Sequence, residues 1–86
     1  MVFYPNSRDK LKEIIKEEYP NSYPKKDIDD VPSYCLWMLD ELGEFDDSKK
    51  AARWLGWVLG RLESIELLDN ERSREIVRKD VEKGFD

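Results

Sequence analysis

The chain has 86 residues, enough for one domain and too few for two, with 40% apolar residues, 41% charged residues and a net charge of −5. A single cysteine and the absence of histidine exclude an internal disulfide framework and an ordinary zinc site. No apolar run approaches the roughly 20 residues of a membrane span, and the N-terminus lacks the basic leader of a signal peptide. A reducing, cytoplasmic setting is expected.

The charge is unevenly spread. Residues 1–48 hold 12 acids against 6 bases, and residues 49–86 hold 8 against 9. Between Asp27 and Asp47 eight acids stand without a base. Generic affinity for nucleic acid comes from neutralising phosphates with Lys and Arg, so direct nucleic-acid binding is disfavoured.

Periodicity predicts four helices. The first runs from about Ser7 to Glu18, capped by Asn6 or Ser7, with Leu11, Ile14, Ile15 and Tyr19 on its inner face. Pro20 and Pro24 mark a loop. The second helix starts near Asp30, takes Pro32 in its first turn, runs to about Leu42 and stops at Gly43. Apolar over most of its circumference, with Tyr34, Trp37, Met38 and Leu42 as its main stripe, it reads as the central helix of a small bundle.

The third helix covers residues 48–65 and is capped by Asp46 or Asp47. The fourth begins at Asp69 or Asn70 and ends at Gly84, with Ile76, Val77, Val81 and Phe85 facing inward. Its Arg72, Arg74, Arg78 and Lys79 are offset by Glu71, Glu75, Asp80 and Glu82, unlike the net basic footprint of a recognition helix. The expected fold is all-α, a compact bundle of about four helices forming a single domain over residues 1–86.

The third helix separates into three arcs when Ala52 is set at zero and each residue advances the wheel by about 100°. Trp54, Leu55, Val58, Leu59, Leu62 and Ile65 fall between about 200° and 340°, a broad core face. Ala52, Gly56, Gly60 and Ser64, four apart, form a small-residue groove at about 0–120°. Lys50, Arg53, Trp57 and Arg61 lie beside it at about 100–180°. Interior glycines cost roughly 1 kcal/mol each relative to alanine, so close approach by another backbone should offset them. That backbone is either the second or fourth helix of the same chain or an outside partner. Trp57 among three cations reads equally as a partner hot spot or as a core edge covered by basic stems.

Site chemistry is sparse. Asp27, Asp29 and Asp30 lack the glycine turn and distal glutamate of a calcium loop. The carboxylate pairs Asp40/Glu44 and Glu63/Glu66 lack the histidines of metal-bearing bundles. Cys35, inside an apolar helix, reads as a buried small hydrophobe. No catalytic residue, metal site or cofactor is expected, and the chain reads as a non-enzyme.

The segment Lys50-Ala-Ala-Arg-Trp-Leu-Gly-Trp57, followed by Gly60 and preceded by the Trp37-Met38 helix, resembles a group of small uncharacterised bacteriophage accessory proteins. These share a Lys-x-x-Arg-Trp-hydrophobic-Gly-aromatic helix, matched here by Lys50, Arg53, Trp54, Gly56, Trp57 and Gly60. The likeness spans roughly residues 34 to 75. Leu59 stands where many of them have glutamine, so no polar role carries over to that position. The resemblance implies an accessory protein acting inside the bacterial host, on replication or host defence.

The functional expectation is a non-enzymatic protein-binding accessory protein that engages a host or viral protein. Its expected binding residues are Lys50, Arg53, Gly56, Trp57, Gly60 and Arg61. Two alternatives stand beside it. One is a structural homo-oligomer, a homodimer through the Gly56/Gly60 groove in the simplest case. The other is an acidic DNA mimic, or small regulator of DNA binding, using the surface of Asp40, Glu44, Asp46 and Asp47.

Overall fold

Capping and proline placement set the helix ends in the computed structural model, which describes residues 2–82. The helices are α1 (Pro5–Glu18), α2 (Val31–Leu42), α3 (Ser48–Ser64) and α4 (Asn70–Glu82), and the described residues include no strand. The all-α four-helix expectation therefore holds. The Cα radius of gyration, 12.0 Å, matches the roughly 12 Å of a compact chain this long.

Three caps fall where the side chains predict. Asp30 accepts from the Ser33 amide (3.3 Å), Asp47 from the Lys49 and Lys50 amides (3.0 and 3.4 Å), and Asp69 from the Arg72 amide (2.7 Å). The first helix differs. It begins at Pro5, two residues before the expected start, because proline is preorganised for the first helical position. Tyr4 precedes it with a left-handed backbone and makes no side-chain cap. The cap comes instead from α4: the Asp80 carboxylate accepts from the backbone of Asn6 and Ser7 (both 2.8 Å) and from the Ser7 hydroxyl (2.5 Å). Asp80, read in the sequence only as an acid offsetting the bases of the fourth helix, is 1% exposed.

The end of α3 is a Schellman turn. Leu67 N–H donates to the Leu62 carbonyl and Glu66 N–H to that of Glu63, both at 3.0 Å. Glu66 occupies the left-handed position (φ 62°) that glycine usually fills. Gly43, by contrast, ends α2 with a right-handed φ of −64°. Room is the reason for glycine there. A Cβ would stand 3.0 Å from Arg8 Nε, which donates to the Leu39 carbonyl at 2.9 Å.

Packing runs in the order α4, α1, α2, α3: α1 lies against α4 and α2, and α2 against α1 and α3. The core draws Leu11, Ile14 and Ile15 from α1, Leu36, Leu39 and Leu42 from α2, and Leu55, Val58 and Leu62 from α3. Tyr34 and Trp37, expected at the centre of the α2 stripe, sit half-buried at its edge, while Cys35, Leu36 and Leu39 are buried beside Met38 and Leu42. Tyr19 and Val81, expected inside, are 38% and 56% exposed. Gly84 and Phe85 lie outside the described residues. With α2 central, α3 is left at the rim, and its far side faces solvent. No described helix is long and apolar enough to cross a membrane.

Candidate functional site

The predicted wheel of α3 is reproduced as a burial gradient. Ala51, Leu55, Val58 and Leu62 are fully buried, Trp54, Leu59 and Ile65 are half-buried shoulders, and Ala52, Gly56, Gly60 and Ser64 are exposed. Setting aside the helix's own nearby backbone, no atom of the described residues lies within 4 Å of where a Cβ would stand at Gly56 or Gly60. Neither α2 nor α4 fills the groove, so of the two alternatives the one within the chain is not found. The packing partners account for this: α2 meets α3 through Trp54, Trp57 and the buried arc rather than over the glycines, and the major packing partner of α4 is α1.

Beside that stripe the aromatic rings of α2 and α3 form a continuous run. Tyr34 contacts Trp37 and Trp57 (centroids 5.4 and 5.3 Å apart), Trp37 contacts Trp54 (6.0 Å), and Phe45 contacts Trp54 (5.1 Å). Trp54 is anchored by its indole N–H, which donates to the Met38 carbonyl at 2.7 Å. Trp57 has no such bond and is 37% exposed. Its ring meets Tyr34 edge-on and carries the Arg61 guanidinium 5.3 Å from its centroid. Trp57 thus lies at the core edge with Arg61 over its ring, as one of the two readings has it, and leaves part of that ring in solvent.

Between α2, α3 and the preceding loop lies an open hollow of about 440 Å³. Tyr34, Met38, Trp54 and Trp57 line its inner part, and Ile28, Lys50 and Arg53 its rim. Ile28 is 55% exposed, a large aliphatic side chain that the sequence reading did not single out. Its only signal in the sequence is an isolated apolar residue within an acidic loop.

The cations around this face are not used by the fold as ion pairs. Among the described residues no carboxylate lies within salt-bridge distance of Lys26, Lys49, Lys50, Arg53 or Arg61. Lys26 lies over Trp37 (5.3 Å) and Lys50 over Phe45 (4.7 Å). Arg61 is half-buried rather than fully on the outer edge, and its Nε is buried without a hydrogen-bond partner. Arg61 is therefore drawn partly into the packing, Nε included.

The acidic surface is less unified than its sequence run implies. Asp40 accepts from Lys12 Nζ at 2.5 Å and lies 4.0 Å from Arg8, and Asp27 pairs with Lys25 at 3.7 Å. Asp47 is committed to capping α3. Glu44 and Asp46 stand exposed without such roles. The run of eight acids without a base is thus broken in three dimensions by cations from α1 and the adjoining loop.

Cys35 is buried, and burial pushes its thiol up to about 12 despite the opposing field of Arg61. It stays a neutral thiol near neutral pH, without the activation of a nucleophile. Among the described residues no group of three or more Asp, Glu, Cys or His side chains is placed to hold a metal ion. In comparisons with known proteins, no family model matches the chain, and no curated protein or solved structure is significantly similar to it.

Proposed function

We propose that this chain is a non-enzymatic protein-binding accessory protein and that the outer face of α3 is its interaction surface. One observation carries the reading: two exposed interior glycines with open space above them lie beside a partly exposed tryptophan and unpaired cations. Glycine in a helix interior weakens that helix, and the fold gains no close packing in return. A partner's backbone approaching Gly56 and Gly60 would supply the missing compensation. Trp57 and Arg53 then fall at the contact centre, where binding energy concentrates in Trp and Arg side chains. A phage origin and action inside a bacterial host rest on the resemblance in residues 34 to 75 alone.

A homodimer through the same stripe is the second reading, favoured by the same open space, because a helix with small residues every four positions can pack against its own copy. DNA mimicry is less well supported, since Asp40 and Asp47 are already engaged within the chain.

Affinity capture from bacterial lysate separates these readings. Gly56→Leu, which projects into solvent in the free chain, is expected to lose the captured partner while remaining folded. Charge reversal at Glu44 and Asp46 should leave capture intact. The opposite pattern, loss with acid reversal and retention with Gly56→Leu, contradicts the α3 reading and supports mimicry. A wild-type chain that sediments as a dimer, and a Gly56→Leu chain that sediments as a monomer, identifies the homo-oligomer.

A further inference from the structure

Resting on the reading of the α3 face as a docking surface, we infer that its occupant is an acidic peptide segment of a partner protein carrying a bulky apolar anchor. The anchor is dictated by the hollow. Met38 is buried at its inner side, Tyr34 and Trp54 are half-buried around it, and Trp57 is its partly exposed wall. A space of about 440 Å³ accommodates one or two large side chains, and an aromatic, leucine or methionine side chain would gain contact with three rings there.

The acids are dictated by the rim. Lys50 and Arg53 border the hollow, Lys49 precedes them on the same helix, and Lys26 and Arg61 lie over Trp37 and Trp57. In a chain of net charge −5 with 20 acids, these five cations have no ion-pair partner among the described residues. On α1 and the loop before α2, by contrast, Arg8, Lys10, Lys12 and Lys25 each lie within salt-bridge distance of a carboxylate. The face therefore complements carboxylates placed around an apolar anchor.

A long polyanion fits less well. Nucleic acid gains affinity from a continuous basic track, whereas the residues of this patch are neighboured in the sequence by exposed Asp29, next to Ile28, and by exposed Glu44 and Asp46, just before α3. Those acids would repel a phosphate backbone running past the patch. A short peptide can place its charges opposite the cations alone.

Selection of a displayed random peptide library on the full chain tests this. Enriched peptides are expected to hold an aromatic, leucine or methionine residue flanked by at least two Asp or Glu. Synthesised singly, they should weaken at least about tenfold when those acids become Asn or Gln, and by a similar factor against Lys50→Glu/Arg53→Glu. Both substituted side chains are exposed and unpaired by ions, and circular dichroism checks that the variant keeps its fold. Neutral enriched peptides that are lost with Trp57→Ala would refute the acidic partner while leaving the docking surface standing. Peptides indifferent to both variants, or no enrichment at all, would refute the acidic partner and count against the surface. Single-stranded oligonucleotide binding as tight as the selected peptides would overturn the choice of a protein segment.

Discussion

Asp80→Ala is expected to lower the unfolding free energy by about 3 kcal/mol, a large fraction of the stability of so small a domain. One carboxylate from α4 receives the amides of Asn6 and Ser7 and the Ser7 hydroxyl. Pro5 has no amide hydrogen, and the Arg8 amide is already bonded to the Tyr4 carbonyl at 2.9 Å. Asp80 therefore satisfies the donors left over at the start of α1. Removing it strands one buried and one partly buried amide and deletes the negative charge that the helix N-terminus favours.

Smaller changes at the same network should rank in order. Asp80→Asn keeps one acceptor oxygen but turns an amide group toward donors, costing about 2 kcal/mol. Ser7→Ala removes one hydroxyl bond and leaves both backbone bonds, costing about 1 kcal/mol. Urea denaturation followed by circular dichroism measures the series, and the Asp80→Ala loss corresponds to a fall in Tm of roughly 10–25 °C. A loss below about 1 kcal/mol for Asp80→Ala would mean that water replaces the carboxylate and that α1 and α4 are not tied through this cap.

The double variant Gly56→Ala/Gly60→Ala should move stability the other way, raising it by about 1–2 kcal/mol. Each added methyl projects into open space, so the intrinsic helical preference for alanine is realised without a steric charge against it. Gly43→Ala is the internal contrast. There the new Cβ would stand 3.0 Å from Arg8 Nε and disturb its bond to Leu39, so no comparable gain is expected. Chemical denaturation of the three variants side by side gives the comparison. If alanine at positions 56 and 60 destabilises the isolated chain, the groove is occupied within the fold and the free face disappears.

The helices and the wheel of α3 were legible because their signals are local. Asp30, Asp47 and Asp69 stand beside the amides they cap, and periodicity in Leu55, Val58 and Leu62 reports a buried arc without knowledge of what covers it. What was hidden depends on distant residues meeting. Asp80 lies 73 positions from Ser7, so an acid in a charged helix gives no sign that it caps another. The alternative in which α2 or α4 fills the glycine groove failed for a related reason. Small-residue spacing says that a backbone can approach and carries no information about which one does.

The candidate face was partly legible. Lys50, Arg53 and Trp57 share one wheel arc and do come together, but the hollow beside them needs Tyr34, Met38 and Ile28 from elsewhere in the chain. Arg61, four residues after Trp57, was expected as an outer-edge residue, yet its Nε is buried. Long basic side chains bury their stems while keeping the head at the surface, and wheel position alone does not separate the two.

Site-specific photo-crosslinking in bacterial cells tests the role of this face most directly. A photoreactive phenylalanine analogue placed in turn at Arg53, Gly56 and Gly60 should give a discrete covalent adduct with one protein partner, or with a second copy of this chain. The same analogue at Glu13 on α1 and Glu71 on α4, both exposed, should give none. Adducts formed only from Glu13 or Glu71, with the three α3 positions silent, would contradict the assignment of the α3 face as the surface through which this protein acts.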